Sequence, residues 1–255
     1  MGGQEASDKA MSSDDKIKGM MYASIGRYSE AVTIFNEVLD TSPDDAGVLM
    51  CRAGALSRMG SFAKALESIE KALELDPLRA DAWFLKGLLF YQRGNLIKAL
   101  GYLEQALDID PRHAEAWCIS GNCYYYIGDF QKAMDCYEAT ISIEREYPKA
   151  WYNKGVVLSD IRLYNEALQC YDEALRINPG VAVVWTNKGY CMAMLNKYEE
   201  ALDCLDRALD INPEDVTALN NKAATLRRLG RDEEAAEYDE KVRELMIARG
   251  PHTVM

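Results

Sequence analysis

The sequence predicts an all-α protein built as a solenoid of seven stacked antiparallel helix pairs. Three observations predict it. Short phrases return every 34 residues, "AWYNKG" at 150–155 and "VWTNKG" at 184–189. All four tryptophans, Trp83, Trp117, Trp151 and Trp185, stand at that same interval. Proline keeps the register at Pro43, Pro77, Pro111, Pro179 and Pro213. A fixed period of roughly 20–50 residues marks a repeat architecture.

Taking Ser12 as position 1 gives seven units without spacers: 12–45, 46–79, 80–113, 114–147, 148–181, 182–215 and 216–249. Residues 1–11 and 250–255 remain as tails, expected to be flexible. Position 8 holds only small residues: Gly19, Ala53, Gly87, Gly121, Gly155, Gly189 and Ala223. Position 20 is alanine throughout, from Ala31 to Ala235. At about 100° per residue, positions 4, 8 and 11 share one helical face. Small residues at 8 and 20 let the two helices of a unit close on each other. Glycine at position 15 (Gly26, Gly60, Gly94, Gly128, Gly230) predicts a left-handed end to the first helix. Proline at position 32 ends the second. One such pair cannot bury its apolar faces alone, so neighbours must stack.

Two units depart from the pattern at position 15, with Arg162 and Asn196. Position 32 of the fourth unit is Arg145, with Pro148 three residues later, which predicts a longer second helix there. The ends look polar. Position 4 of the first unit is Asp15, and positions 17 and 24 of the last are Asp232 and Asp239. Polar outer faces close a repeat array, so the array is expected to be complete in this chain.

Small residues at 8 and 20, large apolar or aromatic ones at 4, 11 and 24, and proline at 32 resemble the tetratricopeptide repeat signature over nearly the whole chain. The "WYNKG" phrasing resembles prokaryotic, including archaeal, members of that family. The resemblance implies a right-handed superhelix of about one turn whose concave side is lined by positions 2, 5, 6, 9, 12 and 13. It also implies a protein–protein interaction scaffold.

On that face the third to sixth units present Phe84, Leu85, Leu88, Tyr91, Tyr125, Tyr126, Tyr152, Tyr190 and Met194. An apolar and aromatic stripe with no core duty is a candidate binding surface; otherwise the tyrosines pack along neighbouring first helices. Position 6 adds Asn153, Asn187 and Asn221, and position 9 adds Asn122. A carboxamide both donates and accepts, so a column of them can hold a partner's backbone; otherwise they bond between helices. Position 7 carries Lys18, Lys86, Lys154, Lys188 and Lys222, with Arg52; their stems are expected along the packed face with the ammonium heads in water. The family's clamp for chaperone tails is not expected. Asn122 and Asn153 match it, but Cys118, Val183 and Asn187 stand where it needs cations.

Composition narrows the partners. The 255 residues carry 29 Lys+Arg against 41 Asp+Glu, a net charge of −12. Such a surface repels phosphate backbones and anionic lipid, so neither nucleic acid nor membrane is expected as a partner. The start, "MGGQEASDKAMSS", lacks the apolar segment of a secretory signal, and Ala6 stands where a myristoylation site wants Ser or Thr. Seven cysteines without a Cys-x-x-Cys pair suit a reducing, cytoplasmic setting; Cys136, Cys170 and Cys204 recur at position 23 as fillers. Two histidines do not make a metal site, and no phosphate loop, Gly-x-Ser-x-Gly or His-Glu-x-x-His occurs. No catalytic residue, metal or cofactor is expected. The expected function is a non-enzymatic scaffold or adaptor that binds an extended or helical segment of a partner protein in the concave groove. The alternative is a subunit docking through convex or terminal surfaces, ahead of an enzyme or an RNA-binding solenoid. The protein is expected to be a monomer, with weak self-association as the alternative.

Overall fold

The computed structural model describes residues 14–249; the expected tails at 1–11 and 250–255 lie outside the described residues. The described residues form fourteen α-helices and no strand. They fall into two compact units divided after Ile127. The first contains α1 (14–24), α2 (Tyr28–Thr41), α3 (Ala46–Arg58), α4 (Phe62–Leu75), α5 (Ala80–Gln92), α6 (Leu96–Ile109) and α7 (Ala114–Ile127). The second contains α8 (Phe130–Ile143), α9 (Pro148–Asp160), α10 (Tyr164–Ile177), α11 (Ala182–Met194), α12 (Tyr198–Ile211), α13 (Val216–Arg228) and α14 (Asp232–Arg249). Within each unit, every helix after the first packs on its predecessor in sequence. None of the described helices is long and apolar enough to cross a membrane.

The second helices are amphipathic at helical spacing. In α4 the buried residues are Ala65, Ser68, Ile69, Ala72 and Leu73, a single stripe. The first helices are capped by backbone geometry. Gly94 sits at φ 72°, its N–H donates to the Tyr91 carbonyl, and the Asn95 N–H donates to that of Phe90. This double bond satisfies carbonyls the helix end would otherwise leave open. Arg162 (φ 63°) and Asn196 (φ 61°) adopt the same left-handed turn without glycine, and Leu163 and Lys197 donate back to Leu158 and Met192 in the same way.

The close approach at position 8 has a specific cause. A Cβ built on Gly155 would lie 2.6 Å from Cε1 of Tyr171, and one on Gly19 would lie 2.5 Å from Cε1 of Phe35. Gly87 and Gly189 face Leu103 and Leu205 at 2.8 Å in the same manner. Position 8 is therefore small because the large residue at position 24 fills the space its side chain would need.

The tryptophans tie successive pairs together. Each indole N–H donates over 2.9 Å to the carbonyl at position 32 of the preceding pair: Trp83 to Pro77, Trp117 to Pro111, Trp151 to Arg145 and Trp185 to Pro179. The acceptor is backbone, so Arg145 serves as well as proline. The longer second helix expected before Pro148 is not formed. α8 has the same 14 residues as α6, because Pro148 takes the first position of α9, where its missing N–H costs nothing.

The position-7 lysines after Lys18 also differ from expectation. Their heads are not left in water but pair with position 25 of the preceding second helix: Lys86 with Glu70 at 3.0 Å, Lys154 with Glu138 at 2.7 Å, Lys188 with Asp172 at 2.6 Å, and Lys222 with Asp206. Arg52 reaches Asn36 equivalently at 3.2 Å.

Candidate functional site

The face formed by positions 2, 5, 6, 9, 12 and 13 of the first helices carries an open recess in each unit. In the first unit, Met20, Tyr28, Leu85 and Leu88 line an apolar floor, with Gln92 and Arg58 at its edge. In the second, Tyr190 and Met194 line the floor, with Asn196, Asn221 and Arg228 around them. Arg58 and Arg228 both occupy position 13 and are exposed. Among the described residues neither guanidinium has a carboxylate partner.

The recesses gather Leu85, Leu88, Tyr190, Met194 and Asn221 from the residues singled out in the sequence. The others are placed differently. Phe84 packs on the His113 ring at 4.5 Å. Tyr91, Asn122, Tyr125 and Tyr126 form a cluster on α5 and α7. The Tyr91 and Tyr126 rings are 6.4 Å apart, Tyr125 and Tyr126 meet edge-on at 5.4 Å, and Asn122 hydrogen-bonds the Tyr91 hydroxyl. Burial first, and the neighbouring Tyr126 next, push the Tyr91 phenol above its ordinary pKa, so it stays a neutral donor. Tyr126 itself is 66% exposed, the outer wall of the cluster.

In the second unit, Tyr152 packs beside Tyr171 at 6.2 Å and accepts a 3.3 Å hydrogen bond from the Asn187 amide. Asn153 is half-buried one position along α9. Asn122 and Asn187 thus each spend one bond on a tyrosine of the preceding first helix. A carboxamide has two donors and an acceptor, so neither is saturated by that bond. Tyr190 meets Tyr164 edge-on at 6.3 Å and is 40% exposed; burial, then Tyr164, raises its phenol as well.

Met20, Arg58, Gln92 and Arg228 join the recesses without having been expected there from the sequence. All four stand at positions 9 and 13 of the first helices, so the repeat register places them on the same face as Leu88 and Tyr190.

The cysteines are structural. Cys118, Cys123, Cys136, Cys170, Cys191 and Cys204 are buried, and Cys51 is half-buried. Burial pushes the Cys123 thiol up to about 12 and that of Cys170 up to about 11, which suppresses the thiolate.

This arrangement of helix pairs, small-residue contacts and a repeated first-helix face defines a class of repeat scaffold. The chain belongs to the tetratricopeptide repeat family, whose models match residues 17–45, 52–114, 114–147, 148–181, 182–215 and 204–237. Among solved structures it is similar to YrrB, described as a tetratricopeptide repeat protein with an unusual peptide-binding site. The identity is 25%, the TM-score 0.60, and the match covers 74% of this chain and 97% of that one. PilF of Pseudomonas aeruginosa shares the fold at 19% identity and a TM-score of 0.72, covering 78% of this chain and 91% of its own. So does the Cut9–Hcn1 assembly of the APC/C, at 17% identity and a TM-score of 0.75, covering 94% of this chain and 46% of that one. No curated protein matches the chain.

Proposed function

We propose that the protein is a non-enzymatic cytoplasmic adaptor whose first-helix face holds an extended or helical segment of a partner protein. One observation carries this reading. In each unit that face opens into a recess with an apolar floor, edged by an arginine left without a carboxylate in a chain of net charge −12. An apolar pocket beside an unpaired guanidinium suits a segment that places an apolar side chain next to Asp, Glu or a terminal carboxylate. The peptide-binding site of YrrB supports a peptide ligand for this fold. Asn221, at the edge of the second recess, adds an amide for the partner's backbone, and Asn153 and Asn187 hold the same repeat position on the two preceding first helices of that unit. Free thiols at all seven cysteines support a reducing compartment.

The test is selection of binding peptides from a random display library against the full chain. Peptides with apolar anchors beside acidic residues should be enriched. Binding should fall on Leu88→Asp for ligands of the first recess and on Arg228→Glu for those of the second. Asn221→Ala should weaken second-recess ligands about fivefold, one neutral hydrogen bond. Enriched peptides indifferent to all three substitutions place the binding surface elsewhere and overturn the reading.

A further inference from the structure

The outward side of α1 is unlike that of any later first helix. Position 10 turns toward the preceding pair and is buried as Ala55, Leu89, Cys123, Val157, Cys191 and Thr225. In α1 it is Met21, 64% exposed, with Ile17 (55%) and Ile25 (68%) one turn to either side. The polar end expected from Asp15 is therefore not formed. Asp15 marks position 4, whereas the outward stripe runs through Ile17, Met21 and Ile25.

The later junctions show what such a face receives. Position 10 shares one apolar cluster with positions 24 and 28 of the preceding second helix: Ala55 with Phe35 and Leu39, Leu89 with Ile69 and Leu73, Cys191 with Tyr171 and Leu175. Alongside, the position-7 lysine meets the acid at position 25. Four second helices accordingly read apolar, acid, any residue, Ala, Leu: "IEKAL" at 69–73, "LEQAL" at 103–107, "YDEAL" at 171–175 and "LDRAL" at 205–209. α1 lacks both halves of this interaction. Its apolar stripe is exposed, and Lys18, at position 7, is exposed and forms no ion pair with a second-helix acid among the described residues.

The geometry points to α1 as a docking site for an amphipathic helix of a partner protein that carries this pattern, its apolar pair over Met21 and its acid on Lys18. A second copy stacked end to end does not fit. α14 offers Asp239 and Arg243 at positions 24 and 28, charges that would be laid on Met21. The thirteen residues before α1 contain no Leu, Ile, Val or aromatic residue and do not carry the pattern. Lys18 and Met21 line neither recess, so the proposal stands or falls apart from the proposed adaptor function.

The probe is a fluorescent peptide of the α4 sequence Phe62–Leu75, stapled across the exposed Ala63 and Glu67 because a free helix of that length is marginal in water. It is titrated against the full chain by anisotropy. Wild type should bind, and Met21→Glu should weaken binding about tenfold or more while helicity is kept, since Met21 is 64% exposed. Lys18→Glu should weaken it about threefold. A probe with Glu70→Lys should recover that loss. Leu88→Asp, in the first recess, should change nothing. Absence of binding, or binding indifferent to Met21→Glu, overturns the proposal. So does a wild-type dimer that Met21→Glu dissolves, which would make a second copy the occupant. Binding seen only after removal of residues 1–13 would likewise overturn it in favour of the chain's own start.

Discussion

Glycine at position 8 is held there by the residue across from it. Tyr171 is fully buried, and its ring edge occupies the volume of a Gly155 side chain. Gly155→Ala should cost about 1–3 kcal/mol in urea unfolding, the usual penalty of overpacking. The second pair shows the relief, since Ala53 there stands with Ile69 at position 24. Combining Gly155→Ala with Tyr171→Ile should therefore be less harmful than the two single losses added together, and a double-mutant cycle reads that coupling. Additive losses would mean that ring and glycine do not compete for space. The buried thiols act at the same scale. Cys123 and Cys170 titrate near 12 and 11 in the folded chain against a usual value near 9, so the unfolded chain gives up these protons first. Their stabilising contribution is whole below about pH 9 and is lost as pH rises toward the folded values, at up to about 1.4 kcal/mol per pH unit for each group. The urea midpoint should fall from pH 9 upward, and Cys170→Ala should flatten the fall.

At the scale of helices, the junctions are built from two repeated contacts, one neutral and one ionic. The indole-to-carbonyl bond fixes where the next first helix begins, and it survives the loss of proline at Arg145 because a carbonyl is present whatever the side chain. Trp185→Phe keeps most of the half-buried ring and removes only the donor to Pro179. It should cost about 1–2 kcal/mol by denaturant titration. The lysine pairs orient neighbouring pairs more than they stabilise them, since their acid partners are largely exposed. They also set the charge pattern that α1 leaves incomplete.

For the molecule as a whole, its two ends differ in kind. α14 is charged on its outward side: Asp232 is exposed, Asp239 pairs with Arg227, and Arg243 pairs with Glu240. α1 leaves an apolar stripe. Charges of α14 laid on the apolar stripe of α1 would oppose end-to-end stacking of two copies. Replacing Asp239 and Arg243 together by leucine would restore an apolar pair around Glu240. That variant should form concentration-dependent oligomers in sedimentation, and adding Met21→Glu should dissolve them. A variant that stays monomeric wherever wild type does would show that charge at α14 is not what limits growth.

Period, pairing and caps were legible in the sequence because they follow from single residues recurring at fixed intervals. Gly94 and Trp117 announce a left-handed turn and a junction wherever they stand, and even Arg162 and Asn196 could be placed in that turn by register alone. Part of the site was legible for the same reason: Leu85, Leu88, Tyr190, Met194 and Asn221 lie on a face that a helical wheel defines. Everything that depends on which neighbour occupies a given direction was left to the tertiary structure. A helical wheel has no third coordinate, so it could not tell that Asn187 meets Tyr152, that Lys86 meets Glu70, or that Arg58 and Arg228 meet no carboxylate among the described residues. Nor could it tell that the outward side of α1 runs through Met21 and not through Asp15. Repetition in the chain determines which residues are equivalent, and only packing decides which of those equivalents lacks its partner.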